Sequence, residues 1–585
     1  MQLSTANLTA DTVERVRLKK VMTPSQERWY WVIVAFWVAV NGYYWVWWTQ
    51  SGHVGDPILF AVVSLAMFYV FTLLPSAYLF FLGHMRHPVH INAQQAQEKG
   101  VVQRVAVISL TVPGAESLEI VKRQMLAMKR INYPHDSWIL VDKEHSPQIA
   151  SLARELGINY FSRHDVDTWG VKQVSAWNQP QAPFAAKTKA GNVNSWLDAF
   201  GEGYSHFTQL DIDHEPIPEY LDRVLGYFVD PLVAWVQAPS VYGNHELWTA
   251  RGSSEQEFVL QGPLQMGFFG FSRTPFIIGS HCTYDVKAIE KIGGFQPTRA
   301  EDHLDTVCLA AKGYEGVYLP EILATGDGPE NFETYLAQQF AWAYSMIQVL
   351  FFYTPRLIRE YTLRRGVQFL FVQTWYTFWS LSMLVLFAAP LLTLTLDDPL
   401  ANVSYWAFLA HLLPVSFTAG TTWLWSRKWQ FPQNLRLSWR GILLHIARWV
   451  AVLSAFVQVV FRVKKPYMIT VKGMGSISRF PLAVLVPYIT LIGLSLGTCW
   501  FYLGVYGGGP SQGYLFFALK GAVLFWLMLV ILLVHDVYSV TRSGTPLLRT
   551  LQTRSAALVT ITSLTVLIAL TTASSAELIM QALTA

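Results

Sequence analysis

Charged residues are scarce in this chain, and their scarcity limits the class of protein it can be. Of its 585 residues, 14% are Asp, Glu, Lys or Arg, while 52% are hydrophobic and 14% are aromatic. Ordinary soluble domains carry roughly 25% charged residues. This composition excludes an ordinary soluble protein and indicates the membrane class.

Cysteine is also scarce, and the net charge is small. Cys282, Cys308 and Cys499 have no paired spacing, so we expect neither a disulfide framework nor a zinc site. A net charge of +4 does not indicate nucleic acid as a partner. The first apolar stretch is followed by no small-residue cleavage pattern, and we interpret it as a retained span.

The sequence is instead rich in long apolar runs. A helix of roughly 20 apolar residues can cross a hydrocarbon core of about 30 Å. Such runs lie near residues 29–50, 57–82, 367–396, 401–425, 482–506, 513–536 and 556–578. Between the second and third runs, strand-like and helix-like segments of mixed polarity alternate. We therefore predict a water-soluble domain inserted between two membrane regions.

The connecting loops differ in charge, which predicts their orientation. Basic residues precede the first run and follow the fourth, whereas the short opposite loops carry Asp397 and Asp398 or little charge. Basic loops remain in the cytoplasm. We expect an integral protein of the plasma (inner) membrane, with its N-terminus and inserted domain cytoplasmic. The predicted division is a cytoplasmic segment at 1–28, two spans in 29–82, the inserted domain with interfacial helices at 83–366, two spans in 367–425, an interfacial helix and loop at 426–481, and about three spans in 482–585.

One apolar run, 441–461, does not fit this alternation. Arg440 precedes it and Arg462 follows it, and it contains His445 and Arg448. If it crossed the bilayer, one basic flank would lie outside. We interpret it as a helix in the cytoplasmic interface. The alternative is an eighth span, which would reverse the orientation of everything after it.

Acidic residues follow strand-like runs in the inserted domain. Asp142 ends one such run, and Asp211 and Asp213 follow another. Strands that alternate with helices predict a parallel sheet, and ligands bind beyond the carboxyl ends of its strands. Two carboxylates spaced D-x-D suit Mg²⁺ or Mn²⁺, which prefer oxygen ligands. A solvated surface pair is the alternative.

Six motifs occur in the order found in a known family. They are Lys189-Ala-Gly-Asn-Val-Asn, Leu210-Asp-Ile-Asp-His, Gly279-Ser-His-Cys followed by Ile292-Gly-Gly-Phe, Ala300-Glu-Asp, Gln338-Gln-Phe-Ala-Trp, and Tyr467-Met-Ile-Thr-Val-Lys-Gly. Over roughly residues 57–506 the chain therefore resembles the membrane-bound, processive family-2 glycosyltransferases, such as cellulose and hyaluronan synthases. Each motif alone is common, but their joint occurrence in this order is specific.

The resemblance implies a fold, an activity and partners. The fold is an α-helical transmembrane protein with an inserted cytoplasmic α/β glycosyltransferase domain of the Rossmann-like GT-A type. The activity is an inverting transfer from a nucleotide-sugar, with UDP-glucose as the expected donor, that elongates a polysaccharide and moves it across the membrane. Mg²⁺ or Mn²⁺ is the implied cofactor. A growing glycan or lipid acceptor and the bilayer are implied partners, and accessory subunits or a homo-oligomer are left open.

The resemblance also implies a donor site. Asp142 would contact the uracil or the ribose, although a turn or capping aspartate is an alternative. Lys189 and Asn192 would approach the nucleotide-sugar, and Glu116 is the surviving residue of an opening motif. Asp211 and Asp213 would hold the metal, and Asp211 would also contact the diphosphate. In the sixth motif, Thr470 and Lys472 would belong to a gating loop that closes over the diphosphate.

The acceptor site follows from the same resemblance. Asp302 would be the general base that takes the proton of the acceptor hydroxyl. Trp342 would form the floor under the acceptor sugar, with a plain core tryptophan as the alternative. Gln338 and Gln339 belong to the same motif and are assigned to substrate binding.

The chain departs from the family pattern in a way that leaves alternatives open. Ala341 stands where the family has an arginine, Lys143 where it often has Asp or Gly, and Ala300 where it has Thr. The first alternative to a polysaccharide synthase is an enzyme that adds one or a few sugars to a membrane lipid. The second is a non-enzymatic transporter or receptor with a vestigial domain.

Overall fold

A computed structural model describes residues 14–170, 183–186, 188–296, 298, 301–433, 438–463, 482–542 and 544–584. The sixth motif, with Thr470 and Lys472, lies outside these residues, and so does Ala300. Within them, long helices flank a block that contains most of the strands.

Twelve short strands form three sheets within the described residues. They are β1 (Leu18–Lys20), β2 (Arg86–Pro88), β3 (Val105–Thr111), β4 (Asp136–Val141), β5 (Asn159–Ser162), β6 (His206–Asp211), β7 (Glu215–Pro216), β8 (Val233–Gln237), β9 (Val241–Tyr242), β10 (His281–Asp285), β11 (Glu315–Tyr318) and β12 (Ala324–Gly326).

The main sheet has seven strands in the order β11-β8-β10-β6-β3-β4-β5. Strand β3 pairs in parallel with β4 and with β6, and β4 pairs in parallel with β5. Strand β10 runs antiparallel between β6 and β8. The sheet is therefore mixed where the sequence predicts a parallel one. The connection that precedes β10 leads this strand into the sheet in the direction opposite to β6 and β8.

Both faces of this sheet are covered, which is why most residues of its central strands are buried. Ile139 and Val141 pack with the helices on one face, whereas Leu140 packs into a separate cluster on the other. Side chains alternate between the faces of a strand. The α/β block inserted between long helices confirms the predicted fold class.

The helices of the N-terminal region and the inserted block vary in length. They are α1 (Pro24–Trp48), α2 (Pro57–Met67), α3 (Leu74–Gly83), α4 (Ala93–Glu98), α5 (Leu118–Lys129), α6 (Pro147–Leu156), α7 (Lys189–Phe200), α8 (Tyr220–Val224), α9 (Trp248–Val259), α10 (Gln265–Ser272), α11 (Val286–Lys291), α12 (Glu301–Ala311), α13 (Phe332–Gln348) and α14 (Thr354–Leu357).

The C-terminal region is helical. Its helices are α15 (Leu363–Leu396), α16 (Tyr405–Ser426), α17 (Trp439–Val460), α18 (Leu482–Val505), α19 (Tyr514–Arg542), α20 (Leu547–Thr553) and α21 (Ser555–Thr584).

Six helical segments of the described chain are long and apolar enough to cross a membrane. They are Pro57–Gly83, Leu363–Leu396, Trp439–Val460, Ala483–Val505, Tyr514–Arg542 and Ser555–Thr584. Helices α1 and α16, which cover the first and fourth apolar runs, fall outside this set, because Trp and Tyr lower their mean hydropathy and α16 also contains His411, Ser and Thr. These two helices pack against each other.

Helix α17 covers the run predicted to lie in the interface. It is long and apolar enough to cross a membrane. It packs against α9 and α13 of the inserted block and against α15, and the Tyr335 hydroxyl donates to the Leu444 carbonyl at 3.1 Å. This packing favours the interfacial position, which stays a prediction.

Asp230 ties the segment before α1 to the inserted block. Its Oδ2 accepts from Arg15 Nε and from the backbone N–H of Val16, each at 2.9 Å, and its Oδ1 accepts from the backbone N–H of Leu232 at 3.1 Å. The Asp230 side chain is fully buried. Its removal would leave buried donors without an acceptor.

We predict that Asp230→Ala lowers the free energy of unfolding by roughly 2 kcal/mol, because unpaired buried groups cost about 1–3 kcal/mol. Thermal unfolding of the full chain in detergent micelles measures the change. The control is Lys20→Ala, which breaks an exposed pair with Glu27 and should cost less than about 0.5 kcal/mol. Equal losses in the two variants would contradict the tethering role.

Candidate active site

A cavity of about 600 Å³ opens at the carboxyl ends of β3, β4 and β6. It brings together most of the predicted site residues that the structure describes: Glu116, Asp142, Lys189, Asn192, Asp211, Asp213, Asp302, Gln338 and Trp342. Strands β4 and β6 lie on opposite sides of β3, so the connections after β3 and β4 diverge there. In a doubly wound sheet a crevice forms at such a point.

At one end of the cavity, Asp142 forms a buried ion pair with Arg163. The guanidinium donates from Nε and a terminal nitrogen to the two carboxylate oxygens, at 2.9 and 3.2 Å. Arg163 also donates to the carbonyls of Ala185 and Thr188. The pair therefore fixes Asp142 and the start of α7 together. Glu116 is fixed beside them, because its Oε2 accepts from the Thr111 hydroxyl at 2.9 Å.

Lys189, the first residue of α7, joins three elements of the site. Its Nζ donates to Asp211 Oδ1 at 2.8 Å and to the Gly279 carbonyl at 2.9 Å, and lies 3.4 Å from Glu301 Oε1. Burial alone would lower the pKa of Lys189, but the charges of Asp211, Glu301 and Asp302 outweigh it and raise the pKa well above the usual value. Lys189 is therefore a fixed cation.

Asp211, Asp213 and His214 form a group that can hold a metal ion. One ligand atom from each lies within 4.8 Å of the others. The Asp213 carboxylate also accepts from the backbone N–H of Asp327 at 3.1 Å, and His214 Nε2 lies 3.1 Å from Ser240 Oγ. Two carboxylates with an imidazole suit Mn²⁺ or a similar divalent ion. The residues therefore fit the implied cofactor.

Asp302 lies in the first turn of α12 and faces Gly279. A Cβ at Gly279 would lie 2.0 Å from Asp302 Oδ1, and the φ of Gly279 is +78°. Both constraints require glycine there. Asp302 Oδ1 is buried and has no partner among the described residues. Burial raises the pKa of Asp302 well above its usual value, and the Glu301 charge adds to this while Lys189 opposes it.

Two further predicted residues present unpaired polar atoms. Asn192 is 1% exposed, and neither its amide nitrogen nor its oxygen has a partner in the described chain. The Gln338 side-chain oxygen is likewise unpaired. Unsatisfied buried groups are rare in native proteins, so those lining a cavity indicate a ligand.

The predicted substrate-binding residues of α13 lie on two different faces of the helix. Gln338, Ala341 and Trp342 line the cavity. Gln339 does not line it, and its oxygen accepts from Arg448 of α17 at 2.6 Å. The structure thus brings together every predicted site residue that it describes except Gln339.

Several polar residues of the site were absent from the sequence prediction. Arg163 and His214 are two of them, although His214 is adjacent to the predicted metal pair. A third is Glu257 of α9, which lines the cavity and whose pKa burial raises to about 7. Its Oε1 accepts from the Tyr242 hydroxyl at 3.0 Å. Glu257 gives no sequence signal, because it belongs to none of the motifs and its burial is set by packing.

Part of the chain matches a known family. A family model described as "Glycosyl transferase family group 2" matches residues 206–424, which include the metal group, Asp302 and Trp342. The predicted resemblance is confirmed over this segment, which is similar to family-2 glycosyltransferases.

Cellulose synthases are among the matching relatives. The catalytic subunit [UDP-forming] of Komagataeibacter sucrofermentans is 26% identical over 310 residues, which is 52% of this chain and 38% of the relative. The cellulose synthase 1 catalytic subunit [UDP-forming] of Komagataeibacter xylinus is 25% identical over 386 residues, which is 64% of this chain and 48% of the relative. The chain thus spans less than half the length of these relatives.

Among solved structures, the mannosyltransferase PcManGT from Pyrobaculum calidifontis in complex with GDP-Man and Mn²⁺ is similar with a TM-score of 0.44 and 14% identity. The alignment covers 69% of this chain and 99% of that chain.

We predict that the full chain binds Mn²⁺ and that Asp213→Asn weakens this binding at least about tenfold, because one anionic ligand is lost. Electron paramagnetic resonance of free Mn²⁺ in a titration measures the dissociation constant without any turnover. Glu98→Gln, on the exposed surface of α4, is the control and should leave binding unchanged. Unchanged affinity in Asp213→Asn would show that the ion binds elsewhere.

Proposed function

We propose that this chain is an inverting glycosyltransferase that transfers a sugar from a nucleotide-sugar to a growing glycan. The observation that carries the proposal is the convergence of Asp302, Lys189 and the metal group on one cavity. An inverting transfer needs a base for the acceptor hydroxyl and positive charge for the leaving diphosphate. Both are present in that cavity.

On the donor side, Asp142 contacts the base or the ribose of the nucleotide, and Arg163 holds its carboxylate in place. Asn192 offers unpaired amide atoms to the nucleotide-sugar. Lys189 supplies a cation beside Asp211, where the diphosphate is expected. Asp211, Asp213 and His214 would hold the divalent ion, Mg²⁺ or Mn²⁺, which neutralises charge on the departing diphosphate when bound.

On the acceptor side, Asp302 accepts the proton of the attacking hydroxyl. Its raised pKa makes it a stronger base than an exposed aspartate, and its unpaired Oδ1 is available to the hydroxyl. Trp342 provides an aromatic face under the sugar ring. Gln338 adds a hydrogen-bond acceptor in the same cavity.

We propose UDP-glucose as the donor, because two of the matching relatives are named as UDP-forming cellulose synthases. The glycan would leave through the helices that follow the inserted block, with the block and the N-terminus in the cytoplasm and the chain in the plasma membrane. The six apolar helical segments support an integral membrane protein. Accessory subunits are an open part of this proposal.

Ala341 favours a second candidate function. It lines the cavity at the position where the family has an arginine, so α13 contributes no cation there. Weaker binding of the diphosphate is compatible with an enzyme that adds one or a few sugars to a membrane lipid. A chloroform-soluble product would favour this candidate, and a high-molecular-weight product would favour the synthase.

We predict that the full chain releases UDP from UDP-glucose with Mn²⁺, and that Asp302→Asn lowers the rate about 10²- to 10⁴-fold. The base acts only when ionised. Because the pKa of Asp302 is raised, the rate should rise with pH through a value above the ordinary carboxyl range near 4. Steady-state rates across pH, with a panel of nucleotide-sugars, measure both effects.

Asp305→Asn is the matched control for that experiment. Asp305 lies one turn further along α12, and burial raises its pKa well above the usual value. Asparagine keeps the side-chain oxygen that accepts from the Gln296 N–H at 2.8 Å, so this variant should keep its rate within a few fold. Full turnover in Asp302→Asn would disprove the general-base assignment, and no release from any donor would disprove the function.

We predict that Ala341→Arg lowers the KM for the donor about three- to tenfold, because a cation is added near the expected diphosphate. Ala341→Met, which adds bulk without charge, should not lower it. The measurement is UDP release at varied donor concentration. Equal KM values in Ala341→Arg and the native chain would show that the missing arginine does not limit donor binding.

A further inference from the structure

His303, the residue after Asp302 on α12, lines the cavity and is 7% exposed. Its ring lies perpendicular to those of Phe276 and Phe369, at centroid distances of 4.9 and 6.0 Å. None of the six motifs gives this position a role.

The hydrogen bonds of α15 determine which nitrogen of His303 carries the proton. The Thr354 hydroxyl donates to Gln373 Oε1 at 2.7 Å, so the amide nitrogen of Gln373 is the atom 2.9 Å from His303 Nε2. An amide nitrogen can only donate. His303 Nε2 is therefore the acceptor, and the proton of the neutral ring lies on Nδ1.

His303 Nδ1 is then a buried N–H donor, and it has no partner among the described residues. Burial lowers the pKa of His303 to about 3, so the ring is neutral and keeps this single donor. An unsatisfied buried donor costs free energy. A ligand oxygen that reached Nδ1 from the cavity would remove that cost.

Two other unpaired atoms of the cavity lining indicate what kind of ligand this is. Asp302 Oδ1 and Gln338 Oε1 are unpaired acceptors in the lining of the same cavity. A purely anionic group would satisfy the donor but not these acceptors. Sugar hydroxyl groups both donate and accept, so a sugar satisfies all three.

We propose that His303 binds the acceptor sugar, with Nδ1–H donating a hydrogen bond to one of its oxygens. This inference rests on the proposed function, because it takes the sugar at Asp302 to be the acceptor. Nε2 has a separate role, which is to orient the ring through Gln373.

Two substitutions separate these nitrogens. The amide nitrogen of asparagine overlies the position of Nδ1, whereas the amide of glutamine reaches that of Nε2. We expect His303→Gln to weaken binding of cellotetraose about 5- to 20-fold, since a hydrogen bond in a buried site is lost. We expect His303→Asn to weaken it less than about threefold. Isothermal titration of the full chain in micelles, with cellotetraose and chitotetraose as probes, measures these values.

Cys308→Ala, on the same helix but outside the cavity lining, is the control and should leave saccharide binding unchanged. Equal binding in the native chain and both histidine variants would overturn the inference. Equal weakening in both variants, with a matching loss of thermal stability, would also overturn it. That result would show that His303 only stabilises the packing of α12 against α15.

The outcome for His303 is distinguishable from the outcome for the proposed function. Saccharide binding is measured at equilibrium and needs no turnover. A native chain that releases no nucleoside diphosphate but binds cellotetraose through His303 would refute the function and keep the contact. A native chain that binds neither saccharide would overturn the contact, whatever its turnover.

Discussion

The site depends on one balance of charge, that of Lys189 against the carboxylates around it. Asp211 and Glu301 lie within 3.4 Å of its Nζ, and the charge of Asp302 acts on it as well. Buried carboxylates without a cation are costly in a low dielectric. Lys189 allows three acids from two elements, β6 and α12, to converge where the sheet ends.

The position of Lys189 depends in turn on backbone contacts. Thr188 caps α7, its hydroxyl accepting from the Gly191 N–H at 3.0 Å, and its carbonyl accepts from Arg163. Arg163 is held by Asp142 at the end of β4. The ion pair of Asp142 and Arg163 therefore fixes the start of α7, which places the charge of Lys189 at the centre of the cavity. The dipole at the N-terminus of α12 favours a negative charge on Asp302.

The sequence predicted the parts of this arrangement that have local signals. Apolar runs that end in aspartate predicted the sheet edge with Asp142 and Asp211, and the motif order predicted Lys189 and Asp302. Arg163 could not be predicted, because its partner is 21 residues away and a lone arginine has no pattern. The antiparallel direction of β10 was also missed, since direction is set by the connection and not by the five residues of the strand.

The charges that line the cavity make a divalent ion important to the donor binding proposed above. Among the described lining residues, the lysines are Lys143 and Lys189, whereas nine are Asp or Glu. Arg448 does not replace the arginine missing at Ala341, because it lies behind α13 and is bonded to Gln339 and His445. A diphosphate entering so acidic a cavity would be repelled unless a further cation entered with it. Donor binding in this chain should therefore depend more strongly on the metal than in a relative that keeps the arginine.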